Sequence, residues 1–253
     1  MRTRGAIAAV CLAVAGCGDG ETAQPRAEPT AAAEERPAAF QPSPDHRDRH
    51  KASRPQGRFQ TARVIRRTTL RVSPGGGVVA RIGRRTEFGS IRVLSVTARR
   101  DGWLRVTASE RENGRHGWIR ASAARLGATD VWIRVDRSRR ELVLKRGQRV
   151  LRRLPVAVGR PGTETPLGRF AVTDLLKTGS DDSPYGCCAL ALSGHQTRLL
   201  PGWPGGDRLA IHATPNPETV GREASLGCMR AYTHDIQALM RRVPLGAPVV
   251  VVA

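Results

Sequence analysis

Leu209-Ala210-Ile211-His212-Ala213-Thr214 and, sixteen positions after the histidine, Ala224-Ser225-Leu226-Gly227-Cys228-Met229-Arg230 are the stretches on which the reading of this chain turns. The first opens with an apolar run of strand type and delivers His212 at its end, where a side chain can meet a cleft. The second sets a cysteine among glycine and small residues, so that backbone N–H groups can lie beside the sulfur, as an oxyanion hole requires. A thiol with a pKa near ~8.5 is mostly protonated at neutral pH, and a neighbouring imidazole is what turns it into a nucleophile. Arg230 adds positive charge two residues on, which favours thiolate or grips a substrate carboxylate. On spacing alone, a buried structural cysteine and a core histidine fit equally well.

Outward from this pair the text is that of a mainly β chain. Val131-Trp132-Ile133-Arg134-Val135-Asp136 alternates, Glu141-Leu142-Val143-Leu144-Lys145 follows a polar turn, and residues 150–158 continue the meander. A loop over 159–168 precedes a strand over 169–173, and Pro248-Val249-Val250-Val251-Val252 reads as a closing buried strand. The clearest helix has Thr233 as its N-cap and Ile236, Leu239, Met240 and Val243 at helical spacing, ending before Pro244. The expected fold is two β units with few short helices: a small module over 59–127 and a β-rich catalytic domain over 128–253.

The small module shows short β-like runs at 64–65, 69–72, 78–82, 91–94 and 103–106, broken at Ser73-Pro74-Gly75-Gly76-Gly77, Asp101-Gly102 and Asn113-Gly114. It carries fifteen basic and only four acidic residues over 59–126, out of a net charge of +20 for the chain. Such a surface attracts a polyanion, whether anionic lipid, acidic wall polymer or nucleic acid. Its tryptophans read as core.

Compartment decides among those partners. Arg2 and Arg4, an apolar run over 6–15 and Val14-Ala15-Gly16-Cys17 form an export signal too short to span a bilayer. This pattern resembles the lipobox of bacterial lipoproteins, which implies that Cys17 is acylated and that residues 1–17 are a lipoprotein signal. Residues 18–58 hold six prolines and no apolar period, and read as a disordered tether. The expected location is the cell envelope, lipid-anchored to the outer face of the cytoplasmic membrane. There nucleic acid is no partner, and lipid head groups or anionic wall polymers are.

Ile211-His212-Ala213-Thr214 with Ser225-Leu226-Gly227-Cys228-Met229-Arg230 resembles the signature of L,D-transpeptidases of the YkuD type, and Thr165-Pro166-Leu167-Gly168-Arg169-Phe170 resembles a second segment of that family. Asp101-Gly102-Trp103-Leu104-Arg105-Val106 and Gly117-Trp118-Ile119 resemble bacterial SH3-like domains. The resemblance implies that Cys228 attacks a peptidoglycan stem peptide at its terminal D-alanine, with His212 as base oriented by a backbone carbonyl. It further implies that the Gly227 and Cys228 N–H groups hold the oxyanion, and that Ser225, Arg230, Ala213 and Tyr185 shape the site or contact substrate. No cofactor and no metal is implied. Leu226 stands where the family has histidine, which keeps two alternatives open: a catalytically weak or inactive wall-binding lipoprotein, and an L,D-carboxypeptidase using the same Cys/His pair.

Of the other candidates, Cys187 and Cys188 are adjacent and are expected as buried free thiols, in an insertion before the catalytic histidine. His195 is expected to be structural.

Overall fold

The computed structural model describes residues 41–42, 58–202 and 205–253. The segment expected to be an export signal, with Cys17, and all of the expected tether except residues 41–42 and Arg58 lie outside them. Among the described residues the chain is mainly β, as expected. Strand β1 (Gln41–Pro42) is followed by β2 (Phe59–Val64), β3 (Thr68–Arg71), β4 (Val78–Ile82), β5 (Val93–Arg100), β6 (Trp103–Thr107), β7 (Gly117–Arg120) and β8 (Ala124–Thr129). Strands β2 to β8 form one antiparallel sheet in the order β4-β3-β7-β6-β5-β2-β8. Its core is Val64, Leu70, Leu94, Leu104, Val106 and Ile119, each at most 2% exposed. At roughly 1.5–3 kcal/mol per buried side chain, that cluster supplies the apolar drive for a sheet so heavily loaded with arginine.

The second sheet begins with β9 (Val131–Asp136), β10 (Glu141–Arg146) and β11 (Arg149–Pro155), followed by the short β12 (Val158–Gly159). Then come β13 (Gly168–Lys177), β14 (Cys188–His195), β15 (Arg208–Ala213), β16 (Glu223–Ser225), β17 (Met229–Ala231), helix α1 (Thr233–Met240) and β18 (Pro248–Val252). The order is β11-β10-β9-β18-β13-β14-β15-β17, with β9/β18 and β15/β17 parallel. In β9 the alternation holds, with Val131, Ile133 and Val135 buried and Trp132 and Arg134 half-exposed. The two-residue β1 adds to β13, with Gln41 opposite Lys177 and Pro42 opposite Leu176, so part of the segment read as tether is strand.

The insertion expected over residues 184–188 is a turn that ends in the first residue of β14, whose Ala189-Leu190-Ala191-Leu192 run is buried on both faces, between β13 and β15. One expectation about local structure is corrected: Thr233 is the first residue of α1 rather than its cap. The N-cap position is Tyr232, which makes no side-chain cap bond, and the helix ends at Met240. Asp235 in that first turn is buried and ion-paired to Arg152 of β11, which ties the helix to the far end of the sheet. Ile236 and Leu239 are fully buried in the core of the second sheet.

Candidate active site

The parallel pairing of β15 with β17 brings the two sequence stretches together. Ile211, His212 and Ala213 lie opposite Met229, Arg230 and Ala231, so Cys228 arrives one residue before the paired segment. His212 is buried at 3% exposure, and its Nδ1 donates to the carbonyl of Ala213 at 2.6 Å. A carbonyl only accepts, so Nδ1 carries the proton of the neutral ring and Nε2 keeps its lone pair. The orienting group is a backbone carbonyl, and Ala213 takes its place in the site through that oxygen. The Cys228 thiol donates to the carbonyl of Arg208 at 3.8 Å.

Two side chains are common to histidine and cysteine. The Tyr185 ring meets the His212 ring edge-on, with centroids 5.0 Å apart. Burial and the neighbouring Cys228 sulfur both raise the Tyr185 hydroxyl above its ordinary pKa. Arg230 acts on both reactive groups. Burial drives His212 from 6.5 down to about 4, the Ala213 and Tyr185 carbonyls oppose this, and the Arg230 charge adds to it. Burial also pushes the Cys228 thiol up, against a backbone hydrogen bond with Ala210 and the Arg230 charge. Arg230 therefore favours thiolate as expected, but burial outweighs it, and both groups rest neutral at neutral pH.

The loop before Cys228 is held through its backbone. Ser225 is fully buried; its Oγ accepts from the Gly227 N–H at 3.0 Å and donates to the Cys228 carbonyl at 2.6 Å. One expectation differs: the Gly227 N–H is committed to Ser225 instead of pointing at an oxyanion, while Ser225 shapes the site by closing the loop on itself. The Gly227 carbonyl accepts from Thr165 Oγ1 at 2.8 Å, and the Ser225 carbonyl from Thr163 Oγ1 at 3.2 Å. The Leu226 carbonyl accepts from Gln196 Nε2 at 2.8 Å. Gly227 has φ +121°, and a Cβ there would overlap the Gln196 amide, so both the backbone angle and the packing demand glycine. What the loop uses of Leu226 is its backbone oxygen.

Cys187 and Cys188 are bridged to each other, which corrects the expectation of free thiols. They lead into β14, where Cys188 is buried, and among the described residues Cys228 is the only free cysteine, leaving them no other partner. Gly186 just before them, at φ +58°, lies so close to Ala213 and Thr214 that a Cβ would overlap their backbone, and this brings Tyr185 over His212. Thr178 fastens the same turn, donating from Oγ1 to the Gly186 carbonyl at 2.5 Å and from its N–H to the Cys187 carbonyl at 3.0 Å.

Sequence reasoning missed Gln196, Thr163 and the bonding role of Thr165. Thr165 was flagged only as part of a family-like segment, and nothing local to Gln196 signals a contact thirty residues away. No cluster of three or more potential metal ligands occurs among the described residues.

The family model of the L,D-transpeptidase catalytic domain, YkuD, matches residues 130–251. YkuD of Bacillus subtilis (strain 168) is 30% identical over 119 residues, which is 47% of this chain and 64% of that protein. YkuD of Bacillus licheniformis is 31% identical over 117 residues, covering 46% and 62%. The chain thus spans under two-thirds of the length of these curated relatives. A crystal structure of L,D-transpeptidase 3 from Mycobacterium tuberculosis is similar over 55% of this chain and 74% of that one, at 17% identity and a TM-score of 0.42. Over residues 130–251, then, the second half of this chain is similar to the catalytic domain of the YkuD L,D-transpeptidase family.

Proposed function

We propose that the protein is a peptidoglycan L,D-transpeptidase that forms wall cross-links through a thioester on Cys228. The observation that carries this is the parallel pairing of β15 with β17, which sets Cys228 one residue before the segment opposite His212, with Tyr185 and Arg230 acting on both. In this reading Nε2 of neutral His212 takes the Cys228 proton as sulfur adds to the carbonyl between an L-centre and a terminal D-alanine of a stem peptide. The proton passes to the departing D-alanine nitrogen, leaving the acyl group on sulfur. The amine of a second stem peptide then attacks the thioester, His212 takes its proton, and the thiol is regenerated. Because both groups rest neutral, thiol deprotonation accompanies attack instead of preceding it. The Cys228 N–H is the proposed oxyanion donor, and Arg230 the proposed partner of a substrate carboxylate. No metal or organic cofactor enters these steps.

The export signal and Cys17 support an envelope location with a lipid anchor. The arginine-rich first sheet supports an SH3-like module that contacts anionic wall polymers or lipid head groups. The test is incubation of the full chain with a disaccharide-tetrapeptide and product mass spectrometry. A cross-linked dimer with loss of D-alanine, absent in Cys228→Ala, supports the proposal. Loss of D-alanine without dimer would replace it by an L,D-carboxypeptidase, and no product from an intact chain would leave a wall-binding lipoprotein.

A further inference from the structure

We infer that residues 109–113 of the first sheet position the nucleophile, through Asn113, His195 and Gln196. This rests on the proposed role of Cys228, but its geometry is independent of the reaction. The Asn113 side chain closes a two-bond ring with the backbone of His195 at the end of β14. Its Nδ2 donates to the His195 carbonyl at 2.6 Å, and its Oδ1 accepts from the His195 N–H at 2.9 Å. The His195 ring reaches back, with Nε2 donating to the Ser109 carbonyl at 2.7 Å and Nδ1 standing 3.0 Å from Asp207 Oδ2.

The next residue carries the placement to the nucleophile. Gln196 is buried, its N–H donates to the Asp207 carbonyl at 2.6 Å, and its Nε2 faces the carbonyls of Leu226 (2.8 Å), Thr163 (3.0 Å) and Glu164 (3.3 Å). The Leu226–Gly227 peptide unit is therefore gripped at both ends, by Gln196 at its oxygen and by Ser225 at its N–H. It immediately precedes Cys228, so a shift of His195 is delivered to the sulfur through one side chain and one peptide plane.

A second contact from the first sheet ends at the same sulfur. Glu87 pairs with Arg208, and the Arg208 guanidinium lies 5.8 Å from the Phe88 ring centroid. The guanidinium also donates to the Leu192 carbonyl and to Thr173 Oγ1, while the Arg208 carbonyl accepts the Cys228 thiol. A mere spacer would need none of these polar bonds, of which those of Asn113 and His195 are half-buried and costly to leave half-made. The first sheet thus acts as a wall of the catalytic unit, and its Asn113 is a positioning residue.

The experiment is peptide-mapped iodoacetamide alkylation of Cys228 across pH, in the full chain, well below the melting temperature. Asn113→Ala frees the loop and hydrates the thiol. Alkylation at pH 8 rises about fivefold to tenfold and its pH midpoint falls, while stem-peptide transfer slows. Asn113→Asp keeps the acceptor for the His195 N–H and gives a smaller change in the same direction; it decides the matter if Asn113→Ala does not fold. Arg99→Ala, on the exposed β5–β6 hairpin, leaves the profile at wild type. Wild-type alkylation rate and midpoint in folded Asn113→Ala, or in folded Asn113→Asp where the alanine variant is unfolded, would overturn the inference. The alkylation readout holds whether or not the chain proves to be a transpeptidase.

Discussion

The imidazole of His212 donates from Nδ1 to the main-chain oxygen of Ala213, the residue beside it, at 2.6 Å. A carboxylate in that place would stabilise an imidazolium; a neutral carbonyl in a buried site does so much less, and burial holds the ring pKa down at about 4. His212 is thus a neutral imidazole at neutral pH, with its tautomer set by one hydrogen bond.

The first consequence is an acid limb far from the ordinary histidine range. If His212 acts as the unprotonated base, stem-peptide transfer holds from neutrality down to about pH 5 and is half lost only near pH 4. A profile of kcat/KM for transfer against pH, read at limiting donor so that it reports the unliganded site, checks this. A limb centred near 6.5 would show an imidazole far better solvated than the structure has it.

Stability carries the same signature. The folded-state pKa of His212 lies below its unfolded value, so the unfolded chain takes up the proton first. Its burial therefore destabilises the fold progressively as pH falls from about 6.5 to about 4, by on the order of 3 kcal/mol in all. His212→Gln removes this component. Urea unfolding at pH 7 and pH 4.5 should show a smaller loss in the variant than in the wild type.

Gly227 is predicted to be intolerant. Alanine there meets φ +121° and the Gln196 amide together, so Gly227→Ala loses about 1–3 kcal/mol of stability from backbone strain alone and displaces the sulfur. Thermal unfolding and transfer rate should both fall, the rate by more than the loss of folded protein explains.

Leu226 is predicted to be tolerant. Its carbonyl is the group bonded to Gln196, and any residue supplies a carbonyl. Leu226→Ala keeps transfer within about fivefold of wild type, a cost near 1 kcal/mol. Steady-state kinetics on the stem peptide decides it, and a loss beyond a hundredfold would assign the leucine side chain a role in the reaction.

The sequence showed where chemistry concentrates, because a histidine at a strand end and a Gly-Cys loop are local signals. It showed the strands around them for the same reason: in β9, Val131, Ile133 and Val135 alternate with polar neighbours. The misses were non-local. β14 is missing from the sequence reading although Ala189-Leu190-Ala191-Leu192 is a strand-like apolar run, because the adjacent cysteines and the Gly-Pro text before them draw attention to the turn over residues 184–187. Which way the Ser225 hydroxyl turns is not legible from a motif position; the structure turns it onto Gly227 and Cys228. Gln196 was invisible because its partners are main-chain oxygens of Thr163, Glu164 and Leu226, and a backbone carbonyl leaves no trace in residue type.

The central claim, that Cys228 carries the acyl group, is tested most directly by stopping the donor reaction in acid and weighing the intact chain. A Cys228 thioester gives an added mass equal to the donor less D-alanine, mapped to the peptide holding Cys228, absent in Cys228→Ala and slow to form in His212→Ala. An adduct on any other residue, or cross-linked product still formed by Cys228→Ala, would contradict it.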